Sequence, residues 1–135
     1  MTVYLDTNCL IYLVEQNPVW GPKVVNRLAA LRKAGDGIAT SDLSRTECLA
    51  HPFSTGDAAL VADYLAFFGG PQVEMLPLTA AVCDRAAQIR AASGFKLKVP
   101  DCLHLAASVE HGCGLFLTND ADLVRCPLIP VEVLS

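Results

Sequence analysis

Short apolar runs alternate along this chain with stretches in which apolar residues recur every three or four positions. The short runs are typical of buried strands, and the wider spacing is typical of helices that bury one face. The predicted strands are residues 3–5, GIATS, VEMLPL, GLFLT and IPVEV. Six helices are predicted: one that follows Asp6, one that includes Val24 to Leu31, one over DLSRTECLA, one over residues 57–68, one that includes Val82 to Ile89, and one from Pro100 to about Glu110.

This alternation predicts an α/β fold. Strands separated by helices of ten or more residues imply crossovers that return each strand parallel to the one before, with helices on both faces of the sheet. We therefore predict a three-layer α/β/α arrangement with a mainly parallel central sheet of about five strands. It would form a single domain over residues 1–135, with residues 57–70 as an additional helical element.

Composition narrows the setting in which the protein works. A 135-residue chain with 53% hydrophobic and 18% charged residues can fill one core. No apolar run reaches the roughly 18 residues that span a bilayer, and no secretory signal pattern begins the chain, so we expect a cytoplasmic protein without membrane association. Six cysteines without a CxxC pair are expected to be reduced and mostly buried rather than bound in disulfides or a zinc ribbon.

Charge excludes one class of nucleic-acid protein and leaves another open. The formal net charge of -4 argues against a protein that coats nucleic acid through a general basic surface. A nucleic-acid enzyme remains compatible with it, because bound cations and a few basic residues such as Arg45, Lys96 and Lys98 can reverse the potential over one cleft.

Five acidic residues are expected at the carboxyl edge of the sheet, where α/β folds bind their ligands. Asp6 ends the first predicted strand, and Asp120 and Asp122 follow the fourth in LTNDAD. Glu47 lies in the opening turns of the helix after the second strand. Asp101 begins a helix that leads into the fourth strand; because that helix runs antiparallel to the strand, its first turn also lies near the carboxyl edge.

Each of these acidic residues also has a plain structural explanation. Asp6 and Asp120 suit helix caps, Ser44 to Glu47 matches a capping box, and Asp101 suits the positive end of a helix. Taken together, however, four carboxylates at one edge would repel one another unless cations neutralised them. Oxygen ligands select hard ions, so we predict a site for Mg²⁺, with Mn²⁺ as a substitute, and chemistry on phosphates.

Four patches, in this order along the chain, resemble the PIN-domain ribonucleases and, among them, the small VapC-type toxins of prokaryotic toxin–antitoxin pairs. They are YLDTNCLIYL, SDLSRTECL, VPDCLHLAAS and FLTNDADL, and the resemblance spans nearly the whole chain. It implies that the catalytic, metal-binding quartet is Asp6, Glu47, Asp101 and Asp120, with Asp122 as a further metal ligand.

The same resemblance implies a metal-dependent endoribonuclease. A water activated on the metal would hydrolyse the phosphodiester bond of an RNA, with tRNA among the candidates and no covalent enzyme intermediate. Thr7, Asn8 and Thr118 would be supporting residues that orient a carboxylate or a bound water. The resemblance also implies a cognate antitoxin that wraps the toxin and obstructs its acidic site, and a homodimer.

Three other functions remain open at this stage. A haloacid-dehalogenase-like phosphohydrolase would use Asp6 as a nucleophile, but such sites usually have a second aspartate two residues later, where this chain has Asn8. A catalytically inactive scaffold that only binds a partner would leave the occupied acidic positions unexplained. A DNA nuclease would use the same site, because metal-assisted hydrolysis does not itself select ribose.

A few other residues are candidates for the site or for contacts with RNA. His104, three residues after Asp101, is expected in the core or beside the site. Trp20 and Tyr64 are candidates for stacking on a base or packing against a partner, although aromatic residues at helical spacing are usually core. Arg45 and Lys98 are candidates for contacts with RNA phosphates.

Overall fold

The computed structural model describes all 135 residues, and its centre is one five-stranded sheet. The strands are β1 (Thr2–Leu5), β2 (Gly37–Ser41), β3 (Glu74–Leu76), β4 (Leu115–Thr118) and β5 (Val131–Val133). They lie in the order β3-β2-β1-β4-β5, and all four neighbouring pairs are parallel. The predicted parallel sheet of about five strands is therefore confirmed, although β3 is shorter than the run VEMLPL indicated.

Six α-helices connect the strands and cover the sheet. They are α1 (Thr7–Val14), α2 (Trp20–Lys33), α3 (Leu43–Thr55), α4 (Ala58–Phe68), α5 (Ala80–Ala92) and α6 (Val99–Glu110), and a short 3₁₀ helix, Ala121–Arg125, follows β4. The extra helix predicted within residues 57–70 is α4. None of the helices has the length and apolar character needed to cross a membrane.

Two apolar clusters, one on each face of the sheet, give the three-layer arrangement. Successive residues of a strand point to opposite faces, and β1 shows this at its buried centre. Val3 and Leu5 pack with residues of α1 to α4, whereas Tyr4 packs with residues of α5 and α6. Four of the six cysteines are buried in these layers and all six are free, as predicted.

The order of the strands places one crevice at the carboxyl edge. The chain leaves β1 for β2 and β3 on one side, and then returns to place β4 on the other side of β1. Such a reversal opens a crevice beyond the ends of the two central strands, which is where α/β sheets bind ligands. Asp6 follows β1 and Asp120 lies two residues beyond Thr118, the last residue of β4.

The start of α3 differs from the prediction. The capping box expected from Ser44 to Glu47 is wrong, because Asp42 occupies the N-cap and its side chain makes no capping hydrogen bond. Ser44 is instead a buried residue inside the helix whose hydroxyl contacts those of Thr40 and Thr7. The Glu47 side chain is thereby free to point toward residues of other elements.

Candidate active site

Asp6 is a buried carboxylate at the junction of β1 and α1, with 5% of its surface exposed. Its Oδ1 accepts a hydrogen bond from the backbone N–H of Thr7 at 2.8 Å, which makes Asp6 the N-cap of α1. Its Oδ2 accepts a hydrogen bond at 2.7 Å from the hydroxyl of Thr118, the last residue of β4. Asp6 is thus a helix cap and also a carboxylate held at the crevice.

Thr118 connects Asp6 to the residues that follow β4. This fully buried hydroxyl accepts a hydrogen bond from the backbone N–H of Asp120 at 3.0 Å and a longer one from Nδ2 of Asn8 at 3.4 Å. Asp120 in turn caps the 3₁₀ helix, because its Oδ1 accepts from the backbone N–H of Asp122 at 3.0 Å. The Asp122 side chain is exposed and makes no hydrogen bond.

Glu47 reaches the same region from α3. Its Oε1 accepts a hydrogen bond from the Thr7 hydroxyl at 2.8 Å and lies 2.5 Å from Nε2 of His104. Its Oε2 accepts no hydrogen bond, and 32% of the side chain is exposed. One carboxylate oxygen is therefore held by two groups while the other is left available.

A buried polar network beneath the crevice was not predicted from the sequence. The Tyr4 hydroxyl donates to Oγ of Ser41 at 2.8 Å and lies 2.6 Å from Nδ1 of His104. Burial raises the pKa of Tyr4, so its hydroxyl stays neutral. The available signal was the tyrosine itself, because a tyrosine inside a buried strand needs a polar partner for its hydroxyl.

Asp101 stands in the first turn of α6, partly buried and without a hydrogen bond. Burial raises the pKa of Asp101, and the negative charges of Asp6 and Asp120 raise it further. Glu47 acts in the same direction more weakly, and His104 opposes it. The pKa of Asp101 therefore responds to the charges of the other three predicted acidic residues, Asp6, Glu47 and Asp120.

Asp6 and Glu47, the two carboxylates that each accept two hydrogen bonds, have pKa values shifted in opposite directions. Burial raises the pKa of Asp6, although the charge of His104 and the hydrogen bonds from Thr118 and Thr7 oppose this. Burial alone would also raise the pKa of Glu47, but the hydrogen bond and charge of His104, together with Thr7, outweigh it and lower that pKa. The position of His104 next to Glu47 thus favours the ionised carboxylate.

The donor set fits a hard cation that keeps part of its water shell. No group of three or more Asp, Glu, His or Cys side chains is spaced so that it could hold a metal ion by itself. Mg²⁺ usually takes only one or two protein carboxylates and retains several waters, so it does not require such a set. Oxygens without hydrogen bonds are present on Glu47, Asp101 and Asp120, and burial and like charge at Asp6 and Asp101 favour a counter-ion.

The aromatic and basic candidates have other surroundings. Tyr64 is fully buried and its hydroxyl donates to Oε2 of Glu15 at 2.5 Å, so the suggestion that it stacks on a base is wrong. Trp20 stacks on Tyr12 at 5.9 Å. Arg45 pairs with Asp42 at 3.3 Å on the surface, whereas Lys96 and Lys98 are exposed just before α6.

Comparison with known proteins gives a family match and several similar structures. The family model described as the PIN domain matches residues 3–127. The VapBC2 complex of Rickettsia felis, solved with a promoter DNA fragment, contains a chain with a TM-score of 0.78 at 18% identity, and the alignment covers 100% of both chains. VapC20 of Mycobacterium tuberculosis, described as a toxin that cleaves the sarcin–ricin loop, has a TM-score of 0.77 at 16% identity, with 98% of this chain and 99% of that chain covered.

A third similar structure is FitAcB of Neisseria gonorrhoeae, with a TM-score of 0.72 at 18% identity, covering 96% of this chain and 95% of that chain. No curated protein sequence matches the chain. At these identities the solved structures establish the shared fold, and the family match rests on the sequence.

Proposed function

The chain belongs to the PIN-domain family, and we propose that it is a metal-dependent endoribonuclease, the toxin of a toxin–antitoxin pair. One observation carries the proposal. The charges of Asp6 and Asp120, and more weakly that of Glu47, raise the pKa of Asp101, although these four residues come from four different parts of the chain. Such mutual repulsion favours a site that binds divalent cations.

The candidates to hold Mg²⁺, or Mn²⁺ as its substitute, directly or through its bound waters, are Asp6, Glu47, Asp101 and Asp120, with Asp122 as a fifth candidate. The chemistry that such an ion supplies when bound is activation of a water and neutralisation of charge on the phosphate. The protein contributes orientation: Thr118 fixes Asp6, and Thr7 fixes both Asp6 and Glu47. The proposed hydrolysis is direct and has no covalent enzyme intermediate.

The choice of RNA as substrate is supported by the comparisons. VapC20, which shares the fold, is described as cleaving the sarcin–ricin loop, an RNA element. We infer an RNA substrate for this chain as well, with tRNA and structured RNA loops as the first candidates. A toxin–antitoxin complex from Klebsiella pneumoniae is also similar in structure, which supports a cognate antitoxin here; a homodimer is part of the same proposal.

The alternative of an aspartate nucleophile gains no support from the structure. Position 8, where a second aspartate would be needed, is Asn8. Its side chain contacts the Thr118 hydroxyl and accepts from the backbone N–H of Asn119 at 3.2 Å. This amide braces the turn after β4 and offers no acid to a leaving group.

Cleavage of end-labelled RNA tests the proposal. The purified chain would be incubated with tRNA, with a sarcin–ricin stem-loop and with DNA of matching sequence, in Mg²⁺, Mn²⁺ or EDTA. The Asp6→Asn/Asp101→Asn double variant should lose cleavage. The matched control is Asp63→Asn/Asp84→Asn, which removes the same charge from exposed positions on α4 and α5 and should cut like the parent.

The outcomes separate the remaining functions. Metal-dependent cutting of RNA that is absent only from the first double variant would support the nuclease and its site. Preferential cutting of DNA would overturn the choice of substrate. Absence of both cutting and metal binding by calorimetry would overturn the enzyme and favour the partner-binding scaffold.

A further inference from the structure

His104 occupies an unusual position for a core residue. It lies on α6 one turn after Asp101, and only 1% of its surface is exposed. Both of its ring nitrogens nevertheless have polar partners, so the imidazole is buried without losing its hydrogen bonds. The ring joins two parts of the molecule that no other side chain connects in this way: the centre of β1 and the acidic residue of α3.

The inner side of the ring is fixed by Tyr4. The Tyr4 hydroxyl lies 2.6 Å from Nδ1 of His104, and the two rings meet edge to face with their centroids 5.7 Å apart. Tyr4 is itself held, because it stacks on Phe116 of β4 at 5.0 Å and donates to Ser41 at the end of β2. The imidazole therefore rests on three central strands of the sheet.

The outer side of the ring holds Glu47. Nε2 of His104 lies 2.5 Å from Oε1 of Glu47 and 3.1 Å from the Thr7 hydroxyl, which donates to the same Oε1. A glutamate that is one-third exposed would otherwise sample several rotamers, and fixing it costs conformational entropy when a ligand binds. Here two buried groups fix one oxygen in advance and leave Oε2 free.

We propose that His104 is a positioning residue of the acidic site: braced by Tyr4, it holds Oε1 of Glu47 so that Oε2 is presented to the divalent ion. The inference rests on the proposed metal-dependent function and adds to it a residue outside the acidic set. A purely structural histidine would need its ring nitrogens satisfied, but it would have no effect on how tightly the folded protein binds an ion.

The test measures Mn²⁺ binding to the RNA-free protein by calorimetry, with thermal unfolding recorded for each variant. His104→Gln keeps an amide nitrogen within reach of Glu47, whereas the shorter His104→Asn does not. We expect His104→Asn to weaken Mn²⁺ affinity about 10- to 100-fold, as loss of a partner to a metal ligand usually does. His104→Gln should recover most of it, and His51→Asn, on the exposed surface of α3, should match the parent.

A double-mutant cycle separates positioning from folding. In a Glu47→Gln background, His104→Asn should change Mn²⁺ affinity by less than about twofold, because the carboxylate oxygen that His104 is proposed to present to the ion is already absent. Tyr4→Phe should weaken binding in the same direction as His104→Asn, but less. If the variants fold less stably yet bind Mn²⁺ as the parent does, or if the two substitutions act additively, the positioning role is overturned while the nuclease proposal stands. If the parent binds no Mn²⁺, both fall.

Discussion

The acidic residues of the crevice fall into two pairs that the protein treats differently. Asp6 and Glu47, which we call the braced pair, each accept two hydrogen bonds from groups on other residues. Asp101 and Asp120, the open pair, accept none and one, respectively, the single bond coming from the backbone N–H of Asp122. The braced pair follows β1 and β2, and the open pair flanks β4.

Thr7 shows how the braced pair is built. Its backbone N–H donates to Asp6 and its hydroxyl donates to Glu47, so one residue at the start of α1 sets the position of both carboxylates. The open pair has no such residue and retains its electrostatic repulsion. We infer that the braced pair provides a preformed half of the site, and that the open pair adapts to the ion and substrate.

The largest expected effect comes from removing a charge from the braced pair. Asp6→Asn should reduce RNA cleavage by more than the roughly 100-fold seen when only a partner of a metal ligand is lost. The reason is that the amide removes a negative oxygen from the centre of the crevice while keeping the shape of the side chain. Initial rates at saturating Mg²⁺ measure it.

The control for this substitution is Asp63→Asn, an exposed position on α4 that should leave the rate unchanged. Circular dichroism would establish that the Asp6→Asn fold is intact. Cleavage by this folded variant at the parent's rate would contradict both the assignment of Asp6 and the distinction between the two pairs.

A smaller effect is expected from loosening the braced pair without changing its charge. Thr118→Val is nearly isosteric, but removes the hydroxyl that donates to Asp6 and accepts from the backbone N–H of Asp120. Cleavage should fall about 10- to 100-fold. Stability should fall by about 1–3 kcal/mol, because buried polar groups lose their partner. The control is Thr2→Val, the same change at the start of β1, which should affect neither cleavage nor stability. Normal cleavage by Thr118→Val would show that the hydrogen bond from Thr118 to Asp6 is dispensable.

A still smaller effect, of opposite sign, is expected when a charge is removed from the open pair, because the folded protein should then become more stable. Asp101→Asn should raise the melting temperature by a few degrees at neutral pH in the absence of metal. Burial and the negative charges of Asp6 and Asp120 raise the pKa of Asp101, so its charged form is disfavoured in the folded protein. This effect outweighs the favourable interaction of a carboxylate with the N-terminus of a helix. The exposed Asp84→Asn on α5 serves as the control.

The pH dependence of this gain follows from the direction of the pKa shift. Because the folded pKa of Asp101 is raised above its unfolded value, its charge destabilises the fold fully above the folded pKa. The destabilisation decreases as the pH falls through the folded pKa, and it is gone below about 4, the ordinary carboxyl pKa. The Asp101→Asn gain should therefore disappear in acid, and saturating Mn²⁺ should reduce it at neutral pH. A gain that persisted unchanged at pH 3 would show that charge is not its cause.

The open pair was the easier part of the site to predict from the sequence. Asp101 and Asp120 are placed by the direction of α6 and the end of β4, and both positions follow from hydrophobic periodicity and the rule that parallel strands share a carboxyl edge. The position of Asp6 at the end of β1 followed from the same reasoning. The parallel sheet and its helical layers followed from the alternation of strands and helices.

The bracing of Glu47 was beyond sequence reasoning, for a physical reason. Ser44 and Glu47 have the spacing of a capping box, a local pattern, but both side chains turn away from the helix end toward Thr7, Thr40 and His104. Whether these side chains cap α3 or bind residues of other elements depends on how α3 packs on α1 and α6. That packing involves contacts between residues up to about a hundred positions apart. Local spacing contains no record of those contacts.

The smallest expected effect is at Asp122, the fifth metal ligand predicted from the sequence. Its side chain is exposed and only its backbone N–H takes part in the site, by donating to Oδ1 of Asp120. Asp122→Asn keeps that bond and should change the free energy of unfolding by no more than about 0.5 kcal/mol. Its loss of cleavage should be far below that of Asp120→Asn at the same Mg²⁺ concentration. Because the open pair is free to adapt, a loss at Asp122 equal to that at Asp120 would mean that the 3₁₀ turn closes on the ion, and that the open part of the site has three carboxylates.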